Sequence, residues 1–194
     1  MVVLKRLEDA RRDGDRIYAL LRGLGSSSDG RGNAIYAPRA AGQVEALRKA
    51  YQVAGVTPDT IELIEAHGTG TRVGDAAEVT ALNEVYGKAE RKGPWCALGS
   101  VKSQIGHTKA AAGVAGIIKA VAALHHKVLP PTIKVEQPIE SLHSGDSPLY
   151  VNTEPRPWMP SAGHPRRAGV SAFGFGGSNF HCVLDEASPH KEAI

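Results

Sequence analysis

Residues 61–86, IELIEAHGTGTRVGDAAEVTALNEVY, pass from strand to turn to helix without a gap. IELIEA is short and apolar enough for a buried strand. HGTGT breaks it with two glycines and two threonines. Asp75, with Glu78 three residues on, has the form of a capping box and is expected to open a helix, whose apolar face is Val79, Leu82 and Tyr86. A histidine at such a turn suits a phosphate cradle, a metal site, or one piece of a catalytic centre whose other pieces lie elsewhere.

The pattern repeats on both sides. WCALGSV (95–101) reads as a strand, and AAAGVAGIIKAVAAL (110–124) as a helix that is apolar or small nearly all round, as buried helices are. Upstream, AAGQVEALRKAYQVAG (40–55) carries Val44, Leu47, Tyr51 and Ala54 at helical spacing, with Gly55 as its stop. Alternation of strand and helix through residues 56–124 predicts parallel βαβ units, and hence an α/β fold. Gly113 and Gly116 let the 110–124 helix approach other backbone closely, which suggests a layer between two sheets. At the amino end, Val2–Leu7 and Ile17–Leu24 are expected as strands around a turn at RRDGDR, with a polar loop at GSSSDGRGN (25–33). The last third contains Pro-rich loops, a short strand at 149–152, and RRAGVSAF and NFHCVLDE as strands joined by a glycine loop, GFGGS.

The chain has 194 residues, enough for one domain with a real core. A net charge of +3, without Lys or Arg runs, gives no footprint for nucleic acid. No segment has the apolar length of a membrane helix, and the first residues lack a signal peptide's apolar run. Two cysteines, Cys96 and Cys182, with no CxxC, point to a reducing cytoplasm rather than a disulfide scaffold.

Phosphate motifs are absent: there is no GxxxxGK[ST], and neither HGTGTRVGD nor FGFGGSN fits GxGxxG. The eight histidines show no HExxH-like spacing, and His125 and His126, expected to point apart, read as cations at a helix end. His181 and Cys182 are strand neighbours facing opposite ways, so they cannot form a nucleophile pair. Both cysteines sit in apolar strands, as small buried hydrophobes do.

EAHGTGT, SVKSQIGHTK and FGFGGSN each follow an expected strand. Any one of them is an ordinary turn; together they place His67, Lys102, His107 and glycines 174–177 where α/β sheets build their sites, at the carboxyl ends of strands. His107 precedes the apolar helix, whose dipole disfavours a positive charge there. A neutral imidazole can donate to a developing oxyanion, and His67 would supply a second donor.

EAHGTGT (65–71), GSVKSQIGHTKAAAG (99–113) and GVSAFGFGGSNFHCVLDE (169–186) resemble, in order, the three signature blocks of the β-ketoacyl synthase C-terminal half; VVLKRLEDARRDGDRIYALLRG near the start is similar too. The likeness covers nearly the whole chain and is greatest to modular type I systems, including polyketide and polyunsaturated fatty acid synthases. It implies a thiolase-like α/β fold, five layers α-β-α-β-α in the complete enzyme, of which residues 1–194 form the C-terminal lobe, preceded in residues 1–25 by the last strands of the N-terminal half. It implies a cytoplasmic acyltransferase performing decarboxylative Claisen condensation in fatty acid or polyketide synthesis. There is no cofactor of its own; substrates ride on the phosphopantetheine of an acyl carrier protein. The implied roles are His67 and His107 as the catalytic pair, Lys102 as their supporting lysine, Thr69 and Thr71 on the pantetheine arm, and Phe175 and Gly176 at a gate and oxyanion hole. No DTACSSS-like nucleophile block occurs here. The resemblance therefore implies, as partners, an N-terminal half carrying the nucleophilic Cys and a homodimer in the complete enzyme, with the isolated chain inactive. The other readings are an acyl-thioester binding module and a non-catalytic partner chain like a chain-length factor.

Overall fold

The computed structural model describes residues 1–30, 37–91, 93–142 and 147–187. Its centre is the expected βαβ unit. β2 (Leu63–Glu65) leads into α3 (Arg72–Tyr86) and returns as β3 (Cys96–Gly99), parallel to β2 with Leu63 opposite Ala97. β5 (Leu149–Val151) extends the sheet beyond β3 in parallel. On the other side of β2, β7 (Arg167–Gly174) is also parallel. The hairpin β7–β8 (Ser178–Glu186) then turns the sheet antiparallel, and β1 (Ala19–Ser28) closes that edge, giving the order β1-β8-β7-β2-β3-β5. β4 (Val128–Leu129) and β6 (Arg156–Pro157) form a separate two-stranded ribbon.

Strands buried on both faces need a cover on each, and the chain supplies both. α2 (Ala40–Ala54) and α3 cover one face, where Leu47, Tyr51, Ile64, Leu82, Tyr86 and Val183 form one core. α5 (Ala112–His126) covers the other with Ala120 and Leu124 over Leu63, Val170, Cys182 and Leu184. α2 lies so close to β1 that a Cβ on Gly23 would overlap the Ala50 carbonyl oxygen, and one on Gly25 that of Ala46. Only glycine permits this approach. The layers are thus helices, sheet, helix.

Several expectations need correction. Val2–Leu7 is not a strand; it has no paired neighbour among the described residues, and α1 (Leu7–Arg12) follows at once. Glu8 and Asp9 in its first turn and Arg11 and Arg12 in its last suit the helix dipole, and Arg12 pairs with Asp9 at 2.6 Å. The second strand begins at Ala19 and runs on through Gly25–Ser28, where a loop is expected from the sequence; residues 31–33 of that loop lie outside the described residues. α3 starts before Asp75: Thr71 is its N-cap, accepting from the Gly74 N–H at 3.3 Å. Asp75 instead reaches back to the Gly70 N–H. α5 is not buried all round, because Val114 and Ile118 are 38% and 46% exposed.

Candidate active site

The carboxyl ends of β2, β3 and β7 bring the three turns together. β2 ends two residues before His67. β3 ends three residues before Lys102, which opens the one-turn helix α4 (Lys102–Ile105); His107 follows Gly106, whose φ of 75° reverses the chain. The rings of His67 and His107 meet edge to face, centroids 5.4 Å apart and planes at 81°. Phe173, at the end of β7, lies 5.9 Å from His67 on another side.

Both imidazoles are held neutral. Burial, then the charge of Lys102, then His107, push His67 down to about 4. His107 is lowered in the same direction by desolvation, Lys102 and Lys109. Its Nδ1 accepts the backbone N–H of Lys109 at 3.0 Å, which puts the proton of the neutral ring on Nε2. His107 is thereby a one-direction donor. His67 Nδ1 is buried and has no hydrogen-bond partner among the described residues. Lys102 is itself lowered by desolvation, opposed by the carboxylates of Glu65 and Glu78.

Glu78 has a different place from the helix cap that its spacing suggested. Its Oε1 accepts from the His67 N–H and its Oε2 from the Gly68 N–H, both at 2.8 Å, so the carboxylate clamps the histidine turn from beneath. It is fully buried, and desolvation raises it to about 7. Ser100 ties the turns to each other by donating to the Gly68 carbonyl at 3.2 Å. The sequence signal for Glu78 was present: it shares the apolar face of α3 with Val79 and Leu82, where an unpaired acid has no reason to sit unless bonded.

Two clefts flank this group. One, of about 250 Å³, is lined by His67, Thr69, Thr71, Phe173, Phe175 and Asn179. Thr69 and Thr71 hydroxyls lie 2.9 Å apart on its wall. The other, of about 440 Å³, opens on the far side of Glu78 and is lined by Lys102, Ser100, Thr132 and Ile139 among others. The turn carrying Phe175 and Gly176 projects outward from the β7–β8 hairpin; Phe175 is 81% exposed, and Gly176 has φ of 81°. His67, Thr69, Thr71 and Phe175 thus line the smaller cleft, Lys102 lines the larger one, and His107 joins the group through its ring contact with His67.

Neither cysteine lines either cleft. Cys96 and Cys182 are buried in opposite cores, and desolvation pushes both thiols up. His181 faces away from Cys182, as its strand position requires, and bonds Tyr51 and Ser171 at 3.0 and 2.9 Å. His125 and His126 do not point apart: their rings are 5.0 Å from each other, and Arg16 lies 3.1 Å from His125 Nε2. No group of three potential metal ligands occurs among the described residues, and no helix there is long and apolar enough to cross a membrane.

Known proteins share this fold. The family described as beta-ketoacyl synthase, C-terminal domain, matches residues 18–136, and the ketoacyl-synthetase C-terminal extension matches 136–194. The chain is 55% identical to a component of the polyunsaturated fatty acid synthase of Thraustochytrium sp. (strain ATCC 26185 / S-3), over 97% of its own length but 7% of that protein's. It is 48% identical to polyketide synthase PksL of Bacillus subtilis (strain 168) over 98% of its length and 4% of the relative's. Among solved structures, the ketosynthase from module 6 of the bacillaene synthase of Bacillus subtilis 168 superposes with a TM-score of 0.91 at 48% identity, covering 95% of this chain and 33% of that one. An oxazolomycin ketosynthase domain of Streptomyces albus JA3453 gives 0.91 at 35% identity, over 98% and 34%. The chain spans about a third of these solved ketosynthases, and its α/β sheet is that of their thiolase-like fold. It belongs to the β-ketoacyl synthase family, of which it carries the C-terminal domain.

Proposed function

We propose that this chain is the decarboxylating lobe of a condensing enzyme of fatty acid or polyketide synthesis. The observation that carries the reading is the pair of neutral imidazoles, 5.4 Å apart, at the converging strand ends. When a malonyl thioester loses carbon dioxide, negative charge collects on the thioester oxygen. Two neutral N–H donors stabilise that enolate without having to lose or gain a proton. His107 donates through Nε2, and His67 is the second donor. Lys102 fixes the electrostatic setting by keeping both rings uncharged.

The substrate arm fits the smaller cleft. Thr69 and Thr71 offer hydroxyls to the amides of a phosphopantetheine arm, so the partner delivering the malonyl unit is an acyl carrier protein. Phe175 and Gly176 border the mouth, where a bulky ring gates entry and a glycine lets backbone N–H groups approach the thioester. The chain holds no cofactor in this reading.

The acyl-accepting nucleophile is assigned to the N-terminal half, because both cysteines here are buried in apolar cores. Residues 1–18, ahead of β1, lead out of that half. Val2, Val3 and Leu4 are exposed, and the N-terminal half would cover them. The complete enzyme is proposed as a homodimer. The test is reconstitution. The lobe is mixed with, or fused to, a matching N-terminal half and assayed for carrier-protein condensation. Activity is expected only when both are present. Condensation by the lobe alone, or none with a folded 1:1 complex, rejects the proposal.

A further inference from the structure

Glu65 and Lys119 form a buried ion pair that no step above uses. Lys119 is the one Lys or Arg of α5, and its Nζ lies 2.8 Å from Glu65 Oε2, with side chains 9% and 2% exposed. The other carboxylate oxygen, Oε1, accepts the backbone N–H of Val101 at 2.5 Å. Val101 directly precedes Lys102 and starts the turn that runs to His107. Glu65 itself ends β2, two residues before His67. One carboxylate therefore spans from the strand that carries the first histidine to the turn that carries the second.

The helix is shaped around this contact. A Cβ on Gly116 would stand 3.0 Å from Glu65 Cγ and 3.1 Å from Val170 Cγ1, closer than most side-chain contacts, so these neighbours would have to give way. Burying two opposite charges returns little net stability compared with an apolar pair of the same volume, so the pair is poorly explained as a mere fastener. Its charges also oppose each other at the site: Glu65 raises the proton affinity of Lys102 and Lys119 lowers it. A lone carboxylate there would tether the turn but would also bias the lysine.

We propose that Glu65, neutralised by Lys119, is the positioning residue of the Val101–His107 turn, its Oε1 holding the Val101 N–H so that Lys102 and His107 stand at a fixed spacing from His67. This rests on the assignment of His67, Lys102 and His107 to malonyl decarboxylation. Neither member of the pair touches substrate in this arrangement; both act through the turn.

The test uses the complete enzyme, with this lobe joined to its N-terminal half. Malonyl-thioester decarboxylation (kcat and KM), acylation of the nucleophile and the thermal midpoint are measured for two neutral double variants, with His107→Ala as reference. Glu65→Gln with Lys119→Met keeps an acceptor for the Val101 N–H and leaves no unpaired charge. Glu65→Leu with Lys119→Met removes the acceptor as well. The glutamine pair is expected within about threefold of wild-type kcat. The leucine pair is expected to lose about 10- to 100-fold in kcat, the scale of a misplaced catalytic group, with KM within about twofold. A purely structural role predicts that both doubles keep kcat in proportion to their folded fraction, and that result overturns the proposal. Should the leucine pair not fold, Glu65→Asp withdraws the acceptor by one methylene while keeping the charge; it must show the same kcat loss, and a wild-type kcat overturns the proposal. If His107→Ala leaves decarboxylation intact, the reading of the site fails first and this positioning role falls with it. A normal reference loss with an unaffected leucine pair rejects the positioning role alone.

Discussion

His67 and His107 meet edge to face across the gap between two parallel strand ends, one ring pushed to a pKa of about 4 and the other fixed by a backbone donor on its Nδ1. Sequence neighbours could not make this contact, because 40 residues and a whole crossover separate them. It exists because β2 and β3 are paired in register, Glu65 opposite Gly99, so that both turns leave the sheet at the same level.

Replacing either histidine by Ala in the complete enzyme is expected to lower malonyl decarboxylation about 10²- to 10³-fold, the usual cost of one oxyanion donor. Acylation of the nucleophile should fall much less. Stopped assays of each half-reaction separate the two; equal loss in both would assign the pair to the acyl-transfer oxyanion instead. Because His67 is neutral down to about pH 4, the decarboxylation rate should not drop through His67 protonation between pH 7 and pH 5. A limb near 6.5 that vanishes in His67→Gln would contradict this.

Neither cysteine should accept an acyl group. Cys96 is fully buried and Cys182 nearly so, and desolvation raises both thiols, so little thiolate exists at neutral pH. Intact-mass measurement after incubation with an acyl-CoA or an electrophilic condensing-enzyme inhibitor should show no adduct on the folded lobe. A stoichiometric adduct on either residue would sink the assignment of the nucleophile to another segment.

The outer face of α5 should be an interface. Val114 and Ile118 are exposed on it, and Leu24 and Phe180 are exposed on the same side of the adjoining sheet edge. An uncovered apolar surface of this kind marks an interface or an aggregation liability. Light scattering of the isolated lobe is expected to show self-association, reduced by Val114→Lys with Ile118→Lys. The same double variant should block complex formation with the N-terminal half. Normal complex formation would place the interface elsewhere.

His181 should make the protein less stable in acid. It is fully buried between Tyr51 and Ser171, and desolvation lowers it to about 3. The unfolded chain takes up this proton below about pH 6.5 and the folded chain does not, so stability is lost as pH falls from there toward 3, by about 1.4 kcal/mol per pH unit. Glu78, raised to about 7, acts the other way: the folded chain binds its proton first, which adds stability as pH falls between 7 and its unfolded value near 4.5. A difference measurement removes that opposing contribution. The stability gap between wild type and His181→Gln in denaturant should narrow by about 2–3 kcal/mol between pH 6.5 and 4.5. A constant gap would mean that His181 is charged in the fold.

The helices and strands around the site were legible because their hydrophobic periods are unmixed: apolar runs at 61–66 and 95–101, and helical spacing at Val44, Leu47 and Tyr51, each read correctly within a few residues. The glycine-and-histidine turns at the strand ends were equally legible, since only a turn tolerates such residues after a buried strand. Val2–Leu7 failed because a β-branched start makes a strand only when a neighbour pairs with it. Asp75 and Glu78 failed as a cap because Thr71 was nearer the chain reversal, and because the backbone needing Glu78 was not the helix end but the His67 turn. Glu65 and Lys119 left a trace, one acid and one base each set in an apolar segment, yet no spacing rule pairs residues 54 positions apart. Sequence alone determined most of the elements, the sheet class and which turns follow the strand ends, since these follow from local period and residue type. The tertiary structure alone decided which buried charges meet, which imidazole nitrogen keeps its proton and which face of α5 is left bare, because burial, desolvation and hydrogen-bond geometry exist only once distant segments are packed together.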